Sequence, residues 1–344
     1  MHSVTAYSTE KKRRRRSFQV ITVLIALILT AFVISMNTGA FAMSPKELLQ
    51  TLFGWGNDKQ ELVLFQFRLP RIVVSMLIGA GLALSGAIMQ GISRNALADP
   101  GILGINAGAG LVVMLYVAFF PVATGNSVFL LPMLAFGGAS LTALLIYLLS
   151  YKKNEGIMPT RLILTGVAVA AGISAAMIVL TLRINPHKYQ MVATWLAGSI
   201  GDTNWKHVLA LLPWIVILLP YVFFKSHTMN VLSLSDMTAK GLGANVSREQ
   251  IKLLAAGVGL AASSVAVSGG IGFVGLVAPH LARRLVGPKY QGLLPASALL
   301  GALLVLVADT IGRWIMQPSQ IPAGIVTAVI GAPYFLYLMA KSKN

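Results

Sequence analysis

Apolar runs of bilayer length recur along this chain, separated by short polar connections. They fall at about 18–36, 70–91, 101–120, 128–150, 162–182, 207–224, 251–268, 293–312 and 322–340. Each approaches the ~20 residues a helix needs to cross a bilayer core. A weaker stretch at 271–286, IGFVGLVAPHLARRLV, is glycine-rich first and basic last. It predicts a tenth crossing, short and partly irregular, of a kind tolerated only where other helices bury it. The pattern therefore predicts an all-α polytopic membrane protein of about ten transmembrane helices. Residues 1–17 form a basic tail, and 18–344 form one transmembrane domain with no soluble module.

The longest polar interruption runs from Lys225 to Lys252. Within it Val231, Leu232, Leu234, Met237 and Leu242 are spaced as on short amphipathic helices. Gly241 and Gly243 bracket Leu242 and permit a sharp turn. The segment reads either as a docking surface for another protein or as a solvated linker resting on headgroups. Residues 37–67 and 183–206 are also long enough to hold short interfacial helices.

Composition strengthens the membrane reading. Hydrophobic residues make up 56% of the 344, charged residues 11%, and there is no cysteine. Disulfides, thiol catalysis and cysteine metal sites are thereby excluded. The net charge of +17 does not point to nucleic acid, because the basic residues sit in short clusters between apolar spans. KKRRRR precedes the first span, and Lys341 and Lys343 follow the last. With both ends on the cytoplasmic side, ten crossings place Arg94, Lys152, Lys153, Arg161, the 225–252 loop, Arg283, Arg284 and Lys289 there too. This is the positive-inside arrangement. The start also resembles a signal peptide, with Ala40-Phe41-Ala42 as a cleavage-like site. The first apolar run is long enough to span and many spans follow, so an uncleaved first crossing is expected.

Candidate chemistry is sparse. No G-K-S or G-K-T occurs, so there is no phosphate-binding P-loop. Asp309 is the main intramembrane acid, and Arg313 follows four residues on, within reach on one helix face. So few buried titratable groups argue against a proton-driven carrier. Ser85 and His280 are the only pair that suggests an intramembrane hydrolase; Ser85 lies in the small-residue stretch GAGLALSGA at 79–87, where close helix packing is the simpler reading. The five histidines lack metal-ligand spacing, so no metal site and no cofactor are expected. Arg68 and Arg71 flank Leu69-Pro70, where proline suits a first helical turn. With Arg313 they form either interfacial anchors or an outward positive patch for a partner's carboxylates. Asp99-Pro100-Gly101 carries turn and helix-start chemistry.

Eight strings, taken together, carry a resemblance. They are RLPR at 68–71, LSGAIMQGISRNALADPGILGINAGAG at 84–110, TRLILTGVAV at 160–169, WLAGS at 195–199, LSLSDMTAKGLGANV at 232–246, GGIGFVGLVAPHLARRLVG at 269–287, ADTIGR at 308–313 and IPAGIVTAVIGAPYFLYL at 321–338. In this order and spacing the chain resembles the permease subunits of the iron-siderophore and cobalamin (FecCD-type) importers of the ABC class, over nearly its whole length after the first span.

The resemblance implies a type II ABC importer permease fold and a cytoplasmic-membrane location. It implies a second permease subunit, identical or paralogous, two cytoplasmic ATPase subunits, an extracytoplasmic binding protein and a metal-chelate substrate. The expected cargo is a ferric siderophore, with cobalamin or haem as alternatives; an ion-coupled carrier is the runner-up class. ATP hydrolysis is expected of the separate ATPase, so this chain is a transport subunit and not an enzyme. The resemblance makes 225–252 the ATPase-coupling loop, with Leu232, Leu234, Asp236, Ala239, Leu242 and Gly243 as its residues. It matches Arg68, Arg71 and Arg313 to arginines that meet glutamates of the binding protein. It assigns the cytoplasmic gate to Asn95 and Leu97, and to Pro159 and Thr160. Ala96 stands where the family pattern has proline, which loosens that turn.

Overall fold

The computed structural model describes residues 2–38, 43–120, 127–152, 156–317 and 319–341. Ala40-Phe41-Ala42, Lys153 and Lys343 lie outside the described residues, and so does the side chain of Pro159.

Helix dominates. The chain forms α1 (His2–Asn37), α2 (Pro45–Leu52), α3 (Asp58–Glu61), α4 (Leu69–Ser93), α5 (Ile105–Phe119), α6 (Ser127–Ser150), α7 (Pro159–Thr181) and α8 (Pro186–Leu196). It continues through α9 (Trp205–Phe224), α10 (Ser226–Leu232), α11 (Asp236–Gly241), α12 (Val246–Ser268), α13 (Val274–Val286), α14 (Tyr290–Ile315) and α15 (Ala323–Lys341). A two-residue antiparallel ladder, Tyr151–Lys152 with Gly156–Ile157, is the sole strand pairing among the described residues. Eight helices are long and apolar enough to cross a membrane; α5 and α13 are shorter. Together these account for the ten crossings read from the sequence.

The weak tenth crossing is irregular for a visible reason. Gly269 and Phe273 both take positive φ, so the chain turns sharply before α13 begins. α13 then packs against α4 and α14, buried on both sides. The other departure concerns Pro70. The second crossing does not start there, because helix already runs from Asp58, capped by Asn57 and Gln60, through a π-helical stretch at Leu62–Arg68. A proline lacks the N–H and crowds the carbonyl four residues back, so a local widening lets the helix pass through it. The expected interfacial helices in 37–67 and 183–206 are α2, α3 and α8.

α4, α12 and α14 form the buried centre, while α1 and α7 lie outermost with apolar faces uncovered. Glycine sets the central contacts. A Cβ on Gly79 would lie 2.2 Å from the Gly301 carbonyl oxygen, and one on Gly86 would lie 1.9 Å from that of Gly275. The stretch at 79–87 is therefore a packing seam for α14 and α13, as small residues provide where lipid gives no drive for association. Ser85 belongs to this seam: its Oγ donates to the Gly257 carbonyl at 2.6 Å.

The connections sort into two groups at opposite ends of the bundle. Arg16 donates to the Arg284 carbonyl, and Tyr290 N–H donates to Asn230. Arg284 and Lys341 both sit over the Tyr337 ring. The basic tail, α10, α11, the 286–290 turn and the end of α15 thus share one end. At the other, Arg313 reaches the carbonyls of Ser35 and Thr38, and Trp205 Nε1 donates to the Phe65 carbonyl.

Candidate functional site

At the tail end, residues 225–252 fold as two short helices and a turn. Lys225 closes α9, and its Nζ lies 2.7 Å from Glu249 Oε2 at the start of α12, so the two stems of the loop are tied together. That hydrogen bond raises the lysine pKa, as expected for a cation beside a carboxylate. Ser235 caps α11 through the Thr238 N–H, and Asn245 caps α12 through the Arg248 N–H. The polar residues of this loop are therefore its start signals. Leu232 and Ala239 face inward and are buried. Leu234, Met237 and Leu242 face outward, exposed by 43%, 86% and 65%. These are large apolar side chains held exposed on a capped, tied loop.

Of the two glycines, only Gly243 takes positive φ, at +82°. Gly241 ends α11 in helical geometry, so the expectation that both supply the turn is corrected: one residue reverses the chain and the other completes the helix.

A link from this loop to the turn after α4 was not visible in sequence. Arg94 caps α4 in the left-handed region, with φ of 50°. Its Nη2 donates to Asp236 Oδ1 at 2.6 Å and to the Leu232 carbonyl at 3.1 Å. The pair is roughly half-exposed, so its energy is modest. Its geometric effect is larger, because it joins two segments 142 residues apart. Beyond Arg94, Asn95 Oδ1 accepts the Leu97 N–H, making a turn closed on itself. Asn95 and Thr160 are exposed and Leu97 is half-buried. Among the described residues, no hydrogen bond or ion pair joins 95–97 to Thr160. Asp99 follows, its Oδ1 accepting the Gly101 N–H at 2.7 Å and its Oδ2 resting near the Gly275 backbone. Burial raises this carboxyl to about 6, and the Gly101 hydrogen bond opposes that only in part.

At the opposite end, the three arginines converge as the sequence reading required, but they do not form an open patch. Arg71 holds Asp309 through a fork, Nε to Oδ1 at 2.9 Å and Nη2 to Oδ1 at 2.7 Å, with Nη1 donating to Gln320. Arg313 Nε lies 3.2 Å from Asp309 Oδ2, the pairing four residues apart that the sequence predicted. Arg68 donates to the Met36 carbonyl. All three guanidinium side chains are buried, and Asp309 is 1% exposed. With Asp202, Asn204 and Gln320 they line a cavity of about 450 Å³. The three guanidiniums therefore face a cavity rather than an open surface. Sequence reasoning missed Arg71 as the main partner of Asp309 because 238 residues separate them.

A bundle of this many apolar helices, with a structured, apolar-faced loop at one end and an arginine-lined cavity at the other, is that of a multi-pass membrane protein. The comparisons with known proteins agree. The model of the FecCD transport family matches residues 26–341. The chain belongs to that family. An iron(3+)-hydroxamate import system permease protein of Bacillus subtilis (strain 168) is 48% identical over 336 residues, 96% of this chain and 99% of that one. An Fe(3+)-citrate import system permease protein of the same strain is 44% identical, covering 95% and 96%. A hemin transport system permease protein of Yersinia pestis is 36% identical, covering 93% and 95%. A solved structure described as an inward-facing conformation of a metal-chelate type ABC transporter superposes with a TM-score of 0.83 at 33% identity, covering 94% of this chain and 99% of that one. The protein is thus a multi-pass permease subunit of an ABC importer.

Proposed function

We propose that this subunit carries an iron(3+) chelate, a ferric siderophore, into the cytoplasm. Relatives at 48% and 44% identity are named for iron(3+)-hydroxamate and Fe(3+)-citrate import, which supports the cargo class. The tail end, with both termini, faces the cytoplasm, as its density of Lys and Arg favours. There Leu234, Met237 and Leu242 dock on a separate ATPase subunit that hydrolyses ATP. The buried coupling residues Leu232 and Ala239 hold the docking helices on the bundle, and Asp236 passes their motion through Arg94 to the gate turn at Asn95 and Leu97. Pro159 and Thr160 begin α7, whose apolar face the chain leaves uncovered; a second permease subunit covers it and shares the pathway. An extracytoplasmic binding protein docks at Arg68, Arg71 and Arg313. Nucleotide shifts the side to which the pathway opens by favouring one arrangement of these partners over the other.

The observation that carries this reading is the exposed apolar set on α10–α11 tied by Arg94 to the gate turn. The test is co-purification and transport with the ATPase and binding protein. Met237→Asp should abolish ATPase association and uptake while the permease stays folded in the membrane. Arg94→Gln should retain association, and lower uptake per ATP hydrolysed. Uptake of ferric hydroxamate, ferric citrate and hemin by the same assembly separates the cargo classes. Transport by this chain without an ATPase would overturn the reading.

A further inference from the structure

A second cavity, of about 780 Å³, lies at the tail end beside the first span. Arg13, Arg14 and Lys289 line it, and among the described residues no carboxylate does. Phe18, Ile21 and Val286 give it an apolar wall. Its polar side is built by side chains that hold one another: Asn230 Nδ2 donates to Gln291 Oε1 at 2.9 Å, Gln291 Nε2 meets His227 Nδ1 at 3.0 Å, and Asn230 Oδ1 accepts the Tyr290 N–H. Gly292 lies against Ser17, bringing α14 close to α1. Around it Arg16 donates to the Arg284 carbonyl, Arg283 lies over Tyr290 and Arg284 over Tyr337.

The position selects the occupant. The crossing segment of α1 is apolar and membrane-length from Arg13 to Asn37, and Phe18 at its start is 72% exposed. The cavity therefore opens where headgroups meet acyl chains. Three cations suit a phosphate, which takes charge-assisted hydrogen bonds from arginine, and the apolar wall suits the glycerol end of a chain. Basic pockets between helices at this level bind anionic headgroups, with about 1 kcal/mol per Lys or Arg near the surface, a factor of roughly five.

We propose that this cavity binds an anionic glycerophospholipid, its phosphodiester between Arg13, Arg14 and Lys289 and its acyl chains along Phe18 and Ile21. The lipid wedges between α1 and α10 and thereby steadies the docking loop from its membrane side.

The experiment is native mass spectrometry of the full chain, exchanged from phosphatidylcholine into mixtures containing phosphatidylglycerol, with inorganic phosphate as a separate ligand. One phosphatidylglycerol should be retained in preference to phosphatidylcholine. Arg13→Gln, Arg14→Gln and Lys289→Gln should each weaken retention about fivefold. Arg15→Gln, one position along the same tail but outside the cavity, should leave it unchanged. Equal loss from Arg15→Gln would mean diffuse attraction to the tail and would overturn the site. Displacement of the lipid by inorganic phosphate at equal concentration would assign the cavity to the free anion and overturn the lipid. A photoreactive phosphatidylglycerol on unaltered protein should label residues 13–21 or 286–292; labelling confined elsewhere overturns the proposal even if a variant fails to accumulate.

Discussion

Asp309 shows how much one side chain carries in a nearly acid-free interior. It is 1% exposed and binds the guanidiniums of Arg71 and Arg313 at once. Removing one member of a buried ion pair strands the others without water, at a typical cost of about 3–5 kcal/mol. Asp309→Asn should therefore lower the thermal midpoint of the purified protein strongly. Arg71→Lys should be intermediate, since lysine keeps the charge and loses the fork. A midpoint unchanged in Asp309→Asn would show that the arginines are held by their carbonyl contacts alone. Because Asp309 grips these arginines, charge reversal at Arg71 disturbs the fold as well as docking; reversal of the binding protein's own carboxylate is the cleaner test of docking.

Asp99 makes an opposite case, a half-buried carboxyl with one backbone hydrogen bond. Its folded value of about 6 exceeds the reference value of 3.8, so the folded protein holds this proton more tightly than the unfolded chain. The contribution to stability is full below about pH 3.8 and is lost as pH rises through about 6. Thermal midpoints of wild type and Asp99→Asn should diverge between those limits. Asparagine keeps the acceptor for Gly101 and removes the titration. Parallel pH profiles would mean that Asp99 is solvated and unshifted.

At the scale of elements, the 225–252 loop is governed by caps and one reversed residue. Gly243 has φ of +82° and nothing within 4 Å of an added Cβ, so substitution there strains backbone rather than packing. Gly243→Val should cost at least the ~1–2 kcal/mol of a left-handed non-glycine residue and uncouple ATP hydrolysis from uptake. Gly241 is helical and equally open. Gly241→Ala should leave coupling intact and stabilise slightly, by about 0.5–1 kcal/mol. Uptake per ATP for the two variants measures this contrast; equal losses would mean that loop flexibility, not the turn, matters.

The whole molecule has two ends, and the sidedness proposed for them rests on charge. Asn57 and Ser235 are exposed on opposite groups of connections, so single cysteines there are well placed for labelling. Asn57→Cys should react from outside intact cells and Ser235→Cys only after permeabilisation. Thr203 is buried and makes a poor probe. Reaction of Ser235→Cys from outside would invert the assignment of both ends and with it the ATPase surface.

The periodic apolar runs determined the class, the ten crossings and the interruption at 225–252, because a bilayer forces each crossing to satisfy its backbone internally and so to advertise itself locally. The Asp309–Arg313 pair was readable too, because residues four apart lie on one face of a helix. Tertiary structure alone decided what joins distant segments. The Arg71–Asp309 fork spans 238 residues and the Arg94–Asp236 link 142. No local pattern encodes such partners. It also decided that the arginines line a cavity, and which of Leu232, Leu234, Ala239 and Leu242 face outward. On a short helix every apolar residue looks alike in sequence, and only packing against the bundle separates the face that is buried from the face offered to a partner.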